Sequence, residues 1–187
     1  MEVKLIRRVI DEGDHLAFTA LVRMHQSAIR NFLRRLTNGD HALADDLSQE
    51  TFLKAFMHIK SFSFKGKFIS WLFQIAYRQF ISEFRRNKKR TNDVPLTEQD
   101  LHSAVCESDN VFNSILLKQC LAKLSSTDRS LLTLNYQLGM TQQEVSEIME
   151  MPLGTVKTTI LRAKQKVLAM MEDNNSLCKV KEVGNNV

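Results

Sequence analysis

Apolar residues return along this chain at three- and four-residue intervals, and no stretch alternates in the manner of a strand. The pattern predicts an all-α protein. Residues 2–10 read as a short helix closed by Gly13, and Asp14 is placed to cap the next, whose apolar face runs from Phe18 through Leu21, Ile29 and Phe32 to Leu36. Asn38-Gly39-Asp40 reads as a turn, with Asp40 capping a third helix through DHALADDLSQETFLKAFMHIK. Gly66 interrupts the pattern inside SFSFKGK. A long aromatic helix follows over about 68–86, with Ile69, Phe73, Ala76, Phe80 and Phe84 as its core stripe.

The character then changes. The run RRNKKRTNDVPLTEQDLHSAVCESDN is polar, contains Pro95 and has little amphipathic order, so 87–108 reads as a linker with at most a transient helical turn at 97–104. From Asn110 the helical pattern resumes through Val111, Ile115, Leu116, Cys120, Leu121 and Leu124. Ser126 or Thr127 is placed to cap a helix carrying Leu131, Leu132 and Leu134, which Gly139 ends. The expected organisation is two small helical domains, 1–86 and 109–173, joined by that linker and followed by a frayed tail, 174–187.

The most specific stretch is TQQEVSEIMEMPLGTVKTTILRAKQK, residues 141–166. Thr141 with Glu144 forms the pattern of a capping box, and Val145, Ile148 and Met149 follow at helical spacing. Pro152 and Gly154 break the run, and Thr155 is placed to cap a second helix with the apolar stripe Val156, Ile160, Ala163, Val167 and Met170. At roughly 100° per residue, Thr158, Leu161, Arg162 and Gln165 point away from that stripe, flanked by Lys157 and Lys164. Arginine can pair bidentately with guanine, threonine and glutamine can bond base edges, and leucine can meet a thymine methyl. An ordinary helical hairpin with a solvated basic face is the competing reading, but helix-turn-helix geometry is the sharper pattern.

Composition narrows the classes. The 187 residues suffice for one or two domains, and 43% hydrophobic with 25% charged residues is a globular balance. A net charge of +5 permits a polyanionic partner without requiring one. Cys106, Cys120 and Cys178 are widely spaced and odd in number, so neither a disulfide framework nor a zinc site is expected, and reduced thiols in a cytosol fit better. The N-terminus lacks the apolar run of a secretory leader, and no run is long enough for a bilayer. No nucleophile constellation or phosphate-cradling glycine loop is present, and His15, His25, His41, His58 and His102 are scattered. Hence neither an enzyme nor a metal or cofactor is expected.

Two stretches of the N-terminal half carry further chemistry. In the third helix Asp46, Glu50, Leu53 and Met57 share one line, with Gln49 and Phe56 beside it, while Leu43 and Leu47 lie elsewhere. Such a stripe suits a partner's groove, and it equally suits a solvated acidic face above core. In the long helix Trp71, Gln74, Arg78, Ser82 and Arg85 lie roughly opposite the core stripe. The loop Lys60-Ser61-Phe62-Ser63-Phe64-Lys65-Gly66-Lys67 precedes it and the basic run 85–90 follows. Interleaved aromatic and basic residues can stack bases and neutralise phosphates of an opened strand. Taken singly, Trp71 reads as core and the basic run as a solvated helix end.

These residues carry a family resemblance. Gly13-Asp14, Ala17-Phe18, the run ADDLSQETF at 44–52 and the run FISWLFQIA at 68–76 resemble the first conserved domain of sigma-70 factors. More narrowly they resemble the extracytoplasmic-function (ECF) group. Leu124-Ser125 with Arg129, Gly139-Met140-Thr141, the run PLGTVK at 152–157 and Arg162-Ala163 are similar to that family's region 4. The resemblance covers roughly residues 3–170, the linker matching only in length and character. It implies a cytoplasmic sigma factor that binds core RNA polymerase through the β′ clamp helices and β flap, binds promoter DNA, is held by an anti-sigma factor and does not itself enter a membrane. Asp46, Gln49, Glu50, Phe52, Leu53 and Phe56 would dock on the clamp helices. Phe62, Phe64, Lys65, Lys67, Trp71, Arg78 and Arg85 would melt and read the −10 element. Thr155, Lys157, Thr158, Leu161, Arg162 and Gln165 would read the −35 element. This chain has Arg78 and Ser82 where the family commonly has Asn and Asp, and Thr159 where it often has Arg or Lys, so the promoter sequence is not implied. A conventional helix-turn-helix regulator is the alternative, but the N-terminal half resembles neither a ligand-binding nor a phospho-acceptor domain.

A polar connector offers protease an exposed, poorly packed backbone. Limited proteolysis is therefore expected to cut first within 87–108 and leave two compact fragments. Early cuts inside 15–60 would place the boundary elsewhere.

Overall fold

The structure, a computed structural model, describes residues 1–90, 116–117 and 119–183. Residues 91–108 of the expected linker with its turn at 97–104, together with Val111 and Ile115, lie outside the described residues. Among the described residues every regular element is helical. The chain divides into two compact units, Met1–Leu96 with Gln143–Met151, and Thr97–Gln142 with Pro152–Val187.

The first unit opens with α1 (Glu2–Glu12), which ends at Gly13 in the left-handed region, φ 66°. Glycine takes that conformation without the backbone strain other residues carry there. The next helix, α2 (His15–Leu36), starts where the sequence places it: Asp14 accepts from Leu16 and Ala17 N–H at 2.8 and 3.0 Å. The Ala17 N–H holds the Asp14 carboxyl below its ordinary value, against the opposing effect of desolvation, with Leu16 N–H and the Arg8 guanidinium adding to the lowering. The cap therefore contributes fully at neutral pH and is lost only as acid titrates through that lowered value. Asp40 caps α3 (His41–His58) through Leu43 N–H at 3.0 Å. A tight turn, Ile59–Ser61, and a loop then lead to α4 (Phe68–Arg90).

The core of this unit is aromatic and aliphatic. Phe32 of α2 meets Phe73 of α4 edge to face at 5.1 Å, both rings being buried. Ile29, Leu33, Ala44, Ala55, Leu72 and Ala76 close around them. Polar contacts tie the layers at the rim: a hydrogen bond between His25 of α2 and Glu2 of α1 at 2.6 Å, and ion pairs from Arg30 and Arg34 of α2 to Asp45 of α3 at 3.0 and 3.5 Å. Two sequence expectations change. The long helix reaches Arg90, past Arg86, and Phe84 of the expected core stripe is exposed while Phe68, Leu72 and Ile75 are buried instead.

The second unit uses polar staples as well as apolar packing. Helical residues 119–123 bury Cys120 and lead to Leu124. The next helix, α5 (Ser126–Leu132), is capped by Ser125, whose hydroxyl accepts from Asp128 N–H at 3.1 Å; the expected caps, Ser126 and Thr127, lie inside the helix. Arg129 is buried and donates to the carbonyls of Leu121, Ala122 and Leu124 at 2.9, 2.9 and 3.0 Å. It thereby bonds carbonyls at the end of the preceding helix, where acceptors lack partners further along the helix. A wider π-helical turn, Thr133–Gln137, follows, and Gly139 turns the chain with φ 64°.

Along the chain come α6 (Gln142–Met149) and α7 (Leu153–Val183). The turn between them differs from expectation. Glu150, not Gly154, takes the left-handed conformation, with φ 55°. The last helix begins at Leu153, so Gly154 and Thr155 lie in its first turn and Thr155 is not its cap. Val156, Ile160, Ala163 and Val167 are buried, as the stripe predicts. This helix also continues to Val183, where a frayed tail was expected after Asp173.

Truncating Phe73 removes a ring from the centre of the first unit. Phe73→Ala is expected to destabilise that unit by about 3–5 kcal/mol, whereas Lys65→Ala should change stability by less than about 0.5 kcal/mol. Urea unfolding of the two variants, followed by circular dichroism, checks the difference.

Candidate functional site

Three surfaces carry the expected functional residues. The first is α3. Its interior side buries Ala44, Leu47, Ser48, Thr51, Phe52 and Ala55. Its outer side exposes Asp46, Gln49, Glu50, Leu53 and Met57. Leu53 is 60% exposed, an apolar group held in water. Phe52 is only 8% exposed and belongs to the core, so it supports the stripe and cannot present itself to a partner. Phe56 is half-buried, its ring 5.1 Å from His15 and 4.9 Å from Phe18. Lys54 bridges the outer side to α4, with Glu50 at 3.1 Å and Gln79 Oε1 at 2.6 Å.

The second surface is the loop 62–67 with the outer side of α4. Phe62 is buried, at 8% exposure, among the rings of Phe64, Phe68 and Trp71 at 5.0, 5.3 and 5.7 Å. It is therefore an anchor rather than a stacking platform. Phe64 is 43% exposed and has φ 60°, a backbone conformation that a phenylalanine rarely adopts. Lys65, Lys67, Arg78 and Arg85 are exposed and Trp71 is half-buried. Between the end of α3 and α4 lies a cleft of about 300 Å³ lined by Lys54, His58, Ser61, Trp71, Arg78 and Gln79. Of these, the sequence reading singles out only Trp71 and Arg78. Lys54 and His58 were masked by their position on the helix already assigned to another role.

Gln143–Met151 falls within this first unit, and its carboxylates meet the same basic residues. Lys67 Nζ lies 2.9 Å from Glu144, and Arg78 Nε donates to Glu150 at 2.7 Å. Gln74 reaches the Glu147 carbonyl at 3.3 Å.

The third surface is the outer face of α7. Thr155, Lys157, Thr158, Leu161, Arg162 and Gln165 are all exposed. Thr158 Oγ1 donates back to the Gly154 and Thr155 carbonyls at 3.1 Å each, which fixes its methyl and hydroxyl on the helix surface. Leu161 is 57% exposed in the middle of a basic face. Lys166 is held by Asp128 at 2.9 Å, and Lys164 sits 6.0 Å over the Tyr136 ring. These contacts anchor the helix to α5 and the π-helical turn, and leave Arg162 and Gln165 pointing outward.

Among the described residues no group of His, Cys, Asp and Glu is arranged to hold a metal ion, and no helix is long and apolar enough to cross a membrane. What the three surfaces can do is bind. One is acidic with an apolar centre, and two are basic with aromatic or aliphatic groups interleaved.

Two family models match separate parts of the chain. Residues 21–90 match the family described as Sigma-70 region 2, and residues 114–167 match Sigma-70, region 4. The chain is 28% identical over 187 residues to the ECF RNA polymerase sigma factor SigW of Bacillus subtilis (strain 168), covering 92% of this chain and 100% of that protein. It is 31% identical over 156 residues to SigM of the same organism, covering 80% of this chain and 92% of that protein. Among solved structures it resembles the sigma factor RpoE of Bartonella quintana, solved in complex with the anti-sigma factor NepR. That match has a TM-score of 0.69 and 25% identity, and covers 83% of this chain and 96% of that one.

Arg162 stands clear of the buried stripe, so its removal should leave the fold intact. Arg162→Ala is expected to weaken binding to promoter duplex by about 1–3 kcal/mol, the worth of a bidentate base contact. Competition gel shifts with core polymerase present check this. Unchanged affinity and sequence preference in the folded variant would remove Arg162 from the reading face.

Proposed function

Because the chain belongs to the ECF group of the sigma-70 family, and so directs core RNA polymerase to promoters to initiate transcription, we propose that its three surfaces divide that work. Asp46, Gln49, Glu50 and Leu53, with the edge of Phe56, dock on the β′ clamp helices. The second unit meets the β flap. Phe64, Lys65, Lys67, Trp71, Arg78 and Arg85 take the −10 strand, with Phe62 beneath them as support. Thr155, Lys157, Thr158, Leu161, Arg162 and Gln165 read the −35 element from the major groove. The protein acts in the cytoplasm by binding alone, with no bond chemistry of its own. An anti-sigma factor, such as the one that accompanies the Bartonella quintana protein, would act by covering these surfaces.

One observation carries the reading: α3 presents a stripe of acidic, amide and aliphatic groups on one side while its opposite side is core. A carboxylate and amide pair around an exposed leucine offers a partner protein both polar register and apolar contact. The same acidic groups would repel phosphates, so this stripe is suited to protein and not to DNA.

Energetics make the polymerase necessary. A single recognition helix makes few base contacts compared with the paired half-sites of a regulator dimer. The −10 surface needs an unpaired strand, and extruding a base costs a few kcal/mol that must be recovered from contacts elsewhere. Core polymerase supplies those contacts and fixes the separation of the two reading surfaces, raising the effective concentration of the second at its site. The chain alone is therefore expected to bind promoter duplex weakly and to bind tightly only with core. The double variant Asp46→Ala/Gln49→Ala should lose transcription while its core-free DNA affinity is nearly unchanged. Gel shift and in vitro transcription on one promoter, with and without core, test this. Tight specific binding by the protein alone, indifferent to core, would reject it.

A further inference from the structure

Arg7 is not among the residues assigned above to promoter opening, yet it holds a particular place. It lies on α1, one residue from the buried Ile6 and two from the buried Val9, which pack the helix onto the unit. Its own side chain is exposed. Its guanidinium carbon sits 6.0 Å from the centre of the Phe64 ring, over the ring face. Neighbouring Arg8 is engaged with Asp14 at 2.5 Å, whereas among the described residues Arg7 makes no ion pair. The contact with Phe64 is what this cation has.

Phe64 needs such a contact. Its backbone is left-handed at φ 60°, which costs a non-glycine residue on the order of 1 kcal/mol. Phe62 touches the ring at 5.0 Å with the planes 57° apart, which steadies it from one side only. At 43% exposure the ring would otherwise be free to turn about its side-chain torsions. A guanidinium over the face of an aromatic ring is attracted by its quadrupole, and a planar cation stacks without shielding the ring's remaining surface.

We propose that Arg7 is a positioning residue for promoter opening: from α1 it holds the Phe64 ring in the orientation that stacks on an unpaired base of the −10 strand. The inference rests on the reading of Phe64 given above and extends it to a helix that has no part in that reading. Arg7 acts through the ring and not as an independent phosphate contact, which separates it from Lys65 and Lys67. The two roles make different predictions when combined with loss of the ring.

The test is a double-mutant cycle with reconstituted holoenzyme. The template is a promoter selected from a random duplex pool by the wild-type holoenzyme, and the readout is permanganate reactivity of −10 thymines. Phe64→Ala should reduce opening. Arg7→Ala should reduce it by about two- to fivefold, the equivalent of one exposed cation–π contact. Arg7→Ala/Phe64→Ala should be no worse than Phe64→Ala alone, and Arg7→Lys should recover part of the loss. Thermal midpoints of the single variants should match wild type. Additive losses would make Arg7 a separate phosphate contact and overturn the proposal, as would a silent Arg7→Ala beside a damaging Phe64→Ala. A loss that tracks a lowered thermal midpoint would reduce Arg7 to packing and overturn it as well. If Phe64→Ala itself opens the promoter normally, the underlying reading of the loop fails, and the proposal with it.

Discussion

The layout of the loop before α4 depends on the burial of one ring, Phe62. It enters a nest formed by Phe68 and Trp71, at 5.3 and 5.7 Å, and so pins the chain where α3 has ended and α4 has not begun. With that point fixed, only a few residues remain to reach Phe68, and the backbone meets the geometry by turning left-handed at Phe64. The exposed ring, the two lysines and the cleft beside Trp71 are laid out by that constraint. A glycine at Phe64 would make the turn easily, but it would leave the loop with no aromatic group to present.

The two units solve the problem of preorganisation differently. The first relies on interlocking rings, whose shape fixes the orientation of each neighbour. The second is anchored by polar groups with defined valence: Arg129 to three carbonyls, Lys166 to Asp128, and Asn135 Nδ2 to the Met140 carbonyl at 2.8 Å. A buried guanidinium cannot discard its proton, and burial lowers its pKa only against that strong preference. The bonds of Arg129 therefore have to be made, and making them fixes the angle at which the preceding helix meets α5. The bond from Lys166 to Asp128 likewise ties α7 to α5, and directional bonds tolerate less drift than apolar contact alone.

Much of this was legible in the chain. Asp14 and Asp40 announce helix starts because a carboxylate two or three residues before free N–H groups has one dominant use. The stripe from Val156 to Val167 was legible because its members, Val156, Ile160, Ala163 and Val167, recur at unbroken helical spacing. The misassigned residues share a cause. In α3, Phe52 and Leu53 are adjacent apolar positions on a helix with apolar groups on more than one face, so periodicity could not decide which faced inward. Phe62 and Phe64, two apart in a loop, obey no period at all, and only the ring cluster distinguishes anchor from platform. The turn before α7 was attributed to Pro152 and Gly154 from propensity, while the structure places the left-handed residue at Glu150. Arg7 was invisible because its partner is far along the chain and carries no charge.

The exposed side chains of Leu16, Leu53 and Met57 have a consequence outside recognition. Apolar groups kept in water are tolerable on a small protein that spends its time bound, and a liability on one that waits. The net charge of +5 keeps free copies apart only while salt is low, since screening shortens that repulsion. Solubility of the free chain is thereby linked to the supply of partners: made in excess of them, it should be among the first proteins to be lost from solution.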